Sequence, residues 1–360
     1  MIVPFIGRGK NLAGTPSHVL KLTRGLREKG CEVRVFESRG DGTEAKNIDY
    51  SSSTFSVIWK LPLVLWNYRP DIVHSHTHVA GLVAIPFCTL FKIKHVYECH
   101  GVPRTSLEKP FRSKLLNALE KFVIRNTDGV ITQAIAMKKR LEKMIRSSDT
   151  SFLVSYPGLN TKEFTCYEGD SEYLSNDLKD KRNIIYIGTS LPYQGLSILA
   201  DSQNFINRSD IHYVLYLSDG NAANVTKDFN FKMNMTSIIN LEDSTKLPAL
   251  LKAADVLVHS RPDTIDNVNV QSKLGLYLAS GRPIVATNVG DYVDILKGNQ
   301  FAYLTSPTGK DFAKGLVDVL DNNNALEEAI KNGPALAEKY FEVNHNVERL
   351  IDFYKGEYVS

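Results

Sequence analysis

Short apolar runs alternate with longer amphipathic stretches along nearly all of the 360 residues. In the first part of the chain, the apolar runs that predict β-strands are residues 2–6, 31–36, 71–75, 95–99, 129–132 and 152–155. The stretches with helical periodicity between them are residues 55–67, 79–91, 111–125 and 137–145. Strands separated by helices of this length predict parallel βαβ units, whose right-handed crossovers cover both faces of a sheet.

A polar, acidic stretch at residues 162–182 interrupts this pattern and is predicted to be a linker. The alternation then restarts, with predicted strands at residues 184–187, 213–217, 237–241, 256–258, 284–286 and 302–304. The predicted fold class is therefore α/β, with two doubly wound, Rossmann-like parallel-sheet domains at residues 1–162 and 163–340. The tail, residues 341–360, contains an amphipathic helix at residues 344–354.

The composition is that of a globular protein, with 43% apolar and 23% charged residues. The net charge of +3 gives no reason to expect nucleic acid as a partner. The four cysteines are scattered without paired spacing, which predicts reduced thiols and a cytoplasmic protein. The N-terminus lacks the pattern of a signal peptide, and no apolar run reaches the roughly 18–20 residues of a membrane span.

Residues 273–287 combine a short apolar helix, a glycine stop at Gly281 and a buried strand opened by Pro283. Glycine supplies a left-handed helix cap, and proline cannot continue the helix. The helix follows a polar loop at residues 263–272, so its first backbone N–H groups point towards whatever that loop lines. Helix N-termini attract anions, which predicts an anion-binding site here.

A glycine-rich turn at residues 7–14 follows the first predicted strand, and a helix follows from about Pro16. Thr15 suits the N-cap of that helix, and His18 lies in its first turn. Such a turn can bring backbone N–H groups to a ligand, although it matches neither the dinucleotide-binding fingerprint nor the P-loop. A surface loop without a ligand is the alternative interpretation.

Several histidines fall at the ends of predicted strands. His74, His76 and His78 alternate, so on a strand they would share one face at intervals of about 7 Å. Histidines can hold a metal ion, but no acidic residue or cysteine lies near these three in sequence, so a polar lining is favoured and no metal site is predicted. His100 directly follows a strand, where it would hydrogen-bond either a ligand hydroxyl or a loop carbonyl.

Residues 273–287 resemble the nucleotide-sugar motif of the family 4 glycosyltransferases, Pro-Thr-Lys-Leu-x-Glu-Tyr-Leu-Ala-x-Gly-x-Pro-Val-Val-Ala-Thr. The matching residues are Lys273, Leu274, Tyr277, Leu278, Ala279, Gly281, Pro283 and Thr287. Further stretches match in order along the chain, at residues 70–76, 100–101, 128–132, 156–158, 186–188 and 250–260. The resemblance implies the GT-B fold, in which two Rossmann-like domains face each other across a cleft and a terminal helix, here within residues 341–360, crosses back to the first domain.

The resemblance also implies that the second domain holds a nucleotide-diphosphate sugar and that the first holds the acceptor. The residues it places at the donor are Gly188, Thr189, Ser190, Gln194, Asp266, Asn267, Ser272 and Lys273. Those it places at the acceptor are Gly14, Thr15, His18 and His76. The predicted catalytic residues are His100, which would hold the donor sugar, and Lys273, which would stabilise the diphosphate as it gains charge.

Three donor-site positions depart from the family pattern. Gln194 stands where a lysine is usual, Val268 replaces one glutamate, and Leu276 replaces the glutamate that accepts hydrogen bonds from the ribose hydroxyls. A lost cation is expected to weaken diphosphate binding roughly three- to thirty-fold, because charge-assisted hydrogen bonds are stronger than neutral ones.

The favoured function is a retaining, metal-independent hexosyltransferase acting on a glycan or lipid-linked acceptor in cell-surface polysaccharide or glycoconjugate synthesis. The alternatives are a non-catalytic pseudo-glycosyltransferase, serving as a binding or scaffold subunit of a glycan-assembly complex, and another GT-B enzyme such as a nucleotide-sugar epimerase. No cofactor is expected beyond the nucleotide sugar itself.

Basic and apolar residues mix in the predicted helices at 111–125 and 137–145. This mixture suggests peripheral contact with the inner face of the membrane, and ordinary solvated helices are the alternative.

Overall fold

A computed structural model describes residues 2–5, 15–37, 48–50, 54–101, 110–145, 150–165, 180–263 and 270–357. The chain divides into two compact units, Met1–Gly158 with Val343–Ser360, and Leu159–Glu342. The boundaries expected from the sequence, after residues 162 and 340, lie close to these divisions. The two units are described separately below.

The first unit is built on a seven-stranded parallel sheet of order β3-β2-β1-β4-β5-β6-β7. Its strands are β1 Ile2–Phe5, β2 Arg34–Glu37, β3 Ile48–Tyr50, β4 Ile72–His76, β5 Lys94–Cys99, β6 Gly129–Thr132 and β7 Phe152–Val154. Its helices are α1 Thr15–Glu28, α2 Thr54–Tyr68, α3 His78–Phe91, α4 Pro110–Arg125, α5 Ile135–Ile145 and the C-terminal α14 Val343–Lys355. The strand order reverses between β1 and β4, and parallel sheets bind ligands at such a switch point.

The C-terminal helix α14 belongs to this first unit because its apolar face completes the core there. Val347, Leu350 and Phe353 pack in one buried cluster with Leu22 and Leu26 of α1. Its polar side chains also bind the backbone at the end of β7, since the Arg349 guanidinium donates to the carbonyl oxygen of Val154 at 3.1 Å and the Asn346 amide donates to that of Tyr156 at 3.0 Å. The helix therefore seals one face of the first sheet.

The second unit is built on a six-stranded parallel sheet of order β10-β9-β8-β11-β12-β13. Its strands are β8 Arg182–Gly188, β9 Ile211–Leu217, β10 Thr236–Asn240, β11 Val256–His259, β12 Ile284–Thr287 and β13 Ala302–Thr305. Its helices are α6 Lys162–Thr165, α7 Leu196–Ser202, α8 Ala222–Asp228, α9 Leu247–Lys252, α10 Ser272–Ala279, α11 Tyr292–Leu296, α12 Gly309–Asp321 and α13 Ala325–Phe341. The order reverses between β8 and β11, which makes their carboxyl ends the expected ligand-binding edge.

The structure confirms the predicted α/β class with two parallel sheets, and it corrects two details. The predicted linker at 162–182 contains α6 at its start, and β8 begins at its last residue, Arg182. Helix α6 buries only Phe164, which is too little for a helical period to show in the sequence. Strand β3 was not predicted, because three residues at the edge of a sheet carry almost no pattern.

Candidate functional site

In the second unit, helix α10 begins at the edge of the sheet that parallel sheets use for ligands. Its first residue is Ser272, and the side chain of the preceding Gln271 makes no capping hydrogen bond. The hydroxyl of Tyr277 accepts a hydrogen bond from the backbone N–H of Ile187 at 3.1 Å, which fixes the helix against β8. The N-terminal N–H groups of α10 are therefore held in a fixed position, and the side chain of Gln271 does not hydrogen-bond to them.

Lys273 lies in the first turn of α10 and is almost fully buried, with 6% of its surface exposed. Its ammonium group donates to Oε1 of Gln194 at 2.7 Å and lies 4.5 Å from the centre of the Tyr186 ring. Burial, with a smaller contribution from the nearby charge of Arg261, holds the pKa of Lys273 well below its usual value. An ammonium has three donors, so the contact with Gln194 leaves hydrogen-bonding capacity for a ligand.

Within the described part of the second unit, the ion pairs join Arg182 to Asp255 and Arg208 to both Asp210 and Asp321. None of them gives Lys273 a carboxylate. A buried cation without a counter-ion is costly, because the low dielectric of the interior does not replace its hydration. The surroundings of Lys273 are therefore suited to an anionic ligand.

Two residues that the sequence analysis missed lie beside Lys273. His259 ends β11 and is completely buried, and Arg261, which follows it, is 2% exposed. Burial lowers the pKa of His259, and the charges of Lys273 and Arg261 lower it further. Neither ring nitrogen of His259 makes a hydrogen bond to another residue that the structure describes. Buried polar groups normally have partners, which makes a bound ligand the simplest partner for this ring.

The turn that follows β8 approaches this cluster. Gln194, which binds Lys273, also donates to the hydroxyl of Thr189 at 3.3 Å, and the carbonyl of Thr189 accepts from Tyr186 at 2.7 Å. Ser190 is turned another way: its backbone N–H and its hydroxyl each donate to Asp219 at 2.8 Å. Of the predicted donor residues in this turn, Thr189 and Gln194 are thus joined to Lys273 by hydrogen bonds, while the Ser190 hydroxyl is engaged with Asp219.

Glycines let this turn adopt its shape. Gly188 ends β8 with a φ of 159°, and Gly195 ends the turn with a φ of 75°. A Cβ atom on Gly195 would lie 1.5 Å from the carbonyl oxygen of Ser260, so the turns after β8 and β11 touch at this point. The predicted donor residues Asp266 and Asn267, together with Val268, lie outside the described residues.

In the first unit, four histidines surround one buried glutamate, Glu98 of β5. Oxygen Oε1 of Glu98 lies 2.8 Å from Nε2 of His18 and 3.9 Å from Nε2 of His100. Oxygen Oε2 lies 3.3 Å from Nε2 of His74 and 3.4 Å from Nδ1 of His76. We call these five residues, His18, His74, His76, Glu98 and His100, the histidine cluster.

Strand register explains this cluster. His76 and Glu98 are direct neighbours in the parallel pairing of β4 with β5, and His74 shares a strand face with His76. No acidic residue lies near these histidines in sequence, but the neighbouring strand brings the carboxylate of Glu98 to them. His78 is also misplaced by the sequence prediction: Thr77 adopts a φ of 80°, and His78 begins α3 with its Nδ1 3.6 Å from Glu120.

Burial and neighbouring groups shift the pKa values of three residues in the histidine cluster, His76, Glu98 and His100. Burial lowers the pKa of His76 well below its usual value, with a further contribution from His74, and burial lowers the pKa of His100 to about 4. Burial opposes ionisation of Glu98, but the neighbouring imidazoles, His18 first, hold the pKa of Glu98 well below its usual range. Gln133 completes the surroundings by donating to Glu98 at 3.2 Å and contacting Nδ1 of His100 at 2.9 Å.

The structure thus brings three residues predicted in the first domain, His18, His76 and His100, into one cluster. Thr15 begins α1, and Gly14 lies outside the described residues.

Cys31, Cys88 and Cys99 are free thiols, while Cys166 lies in a part of the chain that is not described. None of the helices in the described ranges is long and apolar enough to cross a membrane.

Two family models match the chain. The Glycosyltransferase Family 4 model matches residues 12–163, and the model for Glycosyl transferases group 1 matches residues 181–322. These ranges correspond closely to the two structural units. No curated protein sequence matches the chain.

Solved structures show the same fold at low sequence identity. Sucrose-phosphate synthase from Thermosynechococcus elongatus superposes with a TM-score of 0.79 at 17% identity, covering 99% of this chain and 98% of its own. Anabaena Alr3699/HepE in complex with UDP superposes with a TM-score of 0.79 at 13% identity, covering 99% of this chain and 100% of its own. The S. aureus MnaA–UDP co-structure is less similar, with a TM-score of 0.62 at 15% identity and coverage of 100% and 98%.

The two family models, matched in order to two parallel-sheet units, agree with the motif resemblance and with these structures. The chain belongs to the family 4, group 1 glycosyltransferases and has their GT-B fold.

Proposed function

We propose that the protein transfers a hexose from a nucleotide-diphosphate sugar to a glycan or lipid-linked acceptor, with retention of configuration. The observation that carries this proposal is the buried ammonium of Lys273 in the first turn of α10, together with a second buried cation, Arg261, whose charge lowers the pKa of Lys273. A diphosphate is the anion that suits such a site best, because helix N–H groups and cations both bind phosphate oxygens.

Arg261 supports activity despite the departures from the family motif. The sequence lacks the usual cation at Gln194, but in this structure Gln194 accepts a hydrogen bond from Lys273 and so orients that ammonium. Arg261 supplies a second positive charge close enough to lower the pKa of Lys273. We therefore assign to Arg261 the role of the missing cation in diphosphate binding.

The chemistry that follows needs little from an acid or base. As the bond between the sugar and the diphosphate breaks, negative charge develops on the leaving phosphate, and fixed cations lower the energy of that state. We assign this role to Lys273, Arg261 and the N–H groups of α10, with no metal ion at the diphosphate. In a retaining transfer, the acceptor hydroxyl attacks from the face the phosphate leaves, and a phosphate oxygen takes its proton. His100 would hold the donor sugar, and His18 and His76 would face the acceptor.

The solved structures lend support to a nucleotide-sugar donor. Anabaena Alr3699/HepE was solved with UDP and with UDP-glucose, and a Burkholderia xenovorans relative in fold is a UDP-forming trehalose-phosphate synthase.

A pseudo-glycosyltransferase remains the principal alternative. It is favoured by Leu276, which is half-buried on α10 and cannot accept hydrogen bonds from ribose hydroxyls. An epimerase is the other alternative, since MnaA and a Listeria monocytogenes putative UDP-N-acetylglucosamine 2-epimerase share the fold.

Calorimetric titration with UDP, GDP and their sugars tests the proposal. We expect saturable binding of one nucleotide class, and incubation with the matching sugar nucleotide and a lipid or glycan acceptor to yield a glycosylated product. Leu276→Glu restores a carboxylate to α10 and should tighten nucleotide binding about ten- to hundred-fold through charge-assisted hydrogen bonds to the ribose. No binding at millimolar nucleotide would favour a scaffold, and sugar conversion without an acceptor would identify an epimerase.

We also propose that the first unit contacts the inner face of the membrane. The exposed side chains of Trp59, Leu63 and Trp66 on α2 and Leu90 on α3 form part of its surface, and Arg69 lies over the Trp66 ring at 5.7 Å. Tryptophan, leucine and basic residues together favour the interface of an anionic bilayer. We expect the protein to sediment with vesicles containing anionic lipid, and the double variant Leu63→Glu/Trp66→Glu to stay in solution.

The matched control for this experiment is Phe205→Glu, which changes a comparably exposed aromatic residue in the second unit. It should sediment like wild type. Sedimentation of the double variant at the wild-type level would rule out this surface as the membrane contact.

A further inference from the structure

The histidine cluster contains two buried atoms that face each other without forming a hydrogen bond. Nε2 of His74 and Oε2 of Glu98 lie 3.3 Å apart, and neither makes a hydrogen bond with any residue in the described ranges. Both side chains are 1% exposed. Unsatisfied buried polar atoms are rare, so an arrangement that aims two of them at one another calls for a partner between them.

The distances in this cluster match those of a coordination sphere. Two ligands bound to Zn²⁺ at about 2.0–2.1 Å with tetrahedral angles lie about 3.3–3.4 Å from each other. The separations from Oε2 of Glu98 are 3.3 Å to His74 and 3.4 Å to His76. One potential ligand atom of each of the three residues His74, His76 and Glu98 lies within 4.8 Å of the other two.

Neighbouring groups orient the ligands as outer partners do in known metal sites. The hydroxyl of Tyr354, on α14, lies 2.7 Å from Nδ1 of His74. When the Tyr354 hydroxyl accepts this hydrogen bond, the imidazole proton lies on Nδ1 and Nε2 keeps its lone pair for a metal. His18 and Gln133 contact the other oxygen of Glu98, at 2.8 Å and 3.2 Å, which leaves Oε2 to bind a metal.

Charge gives a further reason for a cation. In the described part of the chain, the ion-pair partners of Glu98 are histidines rather than lysine or arginine. A buried carboxylate with these partners has no permanently charged counter-ion among them. A divalent cation would balance its charge and use the imidazole lone pairs at the same time.

We propose that His74, His76 and Glu98 form a binding site for a divalent transition-metal ion of the Zn²⁺ type in the first unit. Two histidines and one carboxylate are a ligand set that such ions use, with a further coordination position left open. The site is separate from the proposed diphosphate site and does not depend on the proposed function. A metal on Nδ1 of His76 would displace the contact of that atom with His100, which now measures 2.8 Å, so metal binding should also move the His100 ring.

The test is metal binding by the full-length protein after removal of bound metal with a chelator. Titration with Zn²⁺, followed by equilibrium dialysis and elemental analysis, should give one ion per chain, and Co²⁺ should give the visible absorption of a four-coordinate site. Glu98→Gln preserves the size of the side chain and should lose more affinity than the roughly 10–100-fold that removing an outer partner costs. The control His212→Asn, at a half-buried histidine of the second unit, should bind like wild type.

Tyr354→Phe provides a second variant that leaves all three ligands in place. We expect it to weaken Zn²⁺ binding about 10–100-fold, as loss of an outer hydrogen bond does, while its circular dichroism stays that of wild type. Absence of stoichiometric binding by the wild-type protein would overturn the proposal, as would equal affinities for wild type and Glu98→Gln. In that event the cluster would be a hydrogen-bonded network without a metal.

Discussion

Lys273→Met is expected to abolish detectable nucleotide binding while leaving the second unit at least as stable as in the wild type. The ammonium is buried, and its described contacts are a neutral amide and an aromatic ring. Its charge-assisted bonds to a diphosphate should contribute about 1.5–3 kcal/mol each, so their loss weakens binding at least tenfold and, with two such bonds, several hundred-fold. Methionine fills a similar volume and removes the cost of a buried charge.

The stability effect should depend on pH in a defined direction. The pKa of Lys273 is depressed in the folded protein, so the folded state binds fewer protons than the unfolded state between the two pKa values. The cost of burying this lysine is therefore fully present below its folded pKa. It declines as pH rises and is gone above the unfolded value of about 10.4. The stability advantage of Lys273→Met should be greatest at the lowest pH at which both proteins stay folded, should decline as pH rises, and should vanish above the unfolded value.

Denaturant unfolding of wild type and variant at several pH values, together with UDP titration, measures both effects. The control is Lys297→Met, at an exposed lysine of the same unit, which should change neither property. Nucleotide affinity in Lys273→Met equal to that of wild type would show that the diphosphate binds elsewhere. A large loss of stability at neutral pH would show that Lys273 has a structural partner.

Gly195→Ala is expected to cause the largest loss of stability among the substitutions considered. The residue has a φ of 75°, and an added Cβ would approach the carbonyl oxygen of Ser260 to 1.5 Å. Neither backbone can move alone, because Ser260 follows β11 and Gly195 leads directly into α7. We expect a loss above about 4 kcal/mol, in the range reserved for disruptive core changes, with loss of nucleotide binding because Gln194 is displaced from Lys273.

Gly298→Ala separates backbone strain from this steric clash. Gly298 has a φ of 83°, close to that of Gly195, but a Cβ there meets nothing within 4 Å. Its cost should be limited to the roughly 1–2 kcal/mol of a left-handed non-glycine residue. Thermal unfolding of both variants measures the difference, and equal losses would mean that the contact with Ser260 does not constrain the turn.

Local signals were sufficient to predict the fold and the position of α10. Gly281, with a φ of 64°, ends the turn after that helix, and Pro283 precedes β12, as their residue types predict. Apolar runs located most strands for the same reason, since strands buried on both faces leave a nearly continuous apolar signal. Edge elements such as β3 and short elements such as α6 bury too little apolar surface to leave a recognisable apolar pattern in the sequence.

The candidate sites were harder to predict because their residues meet through strand pairing. Helix α3 and the start of β5 separate Glu98 from His76 in the sequence, and only the register of β4 with β5 places them side by side. Arg261 carried a weaker signal that could have been used. It follows the buried strand β11 at the carboxyl edge of a parallel sheet, where a charged residue is expected to meet ligands.

Hydrogen exchange with and without UDP reports whether a nucleotide diphosphate binds where α10 begins. We expect nucleotide-dependent protection in residues 186–195, 259–263 and 271–277, and none in the edge strand β10 at Thr236–Asn240. Lys273→Met should remove that protection. Unchanged exchange in all three segments at saturating UDP, or protection confined to β10, would contradict binding at this place.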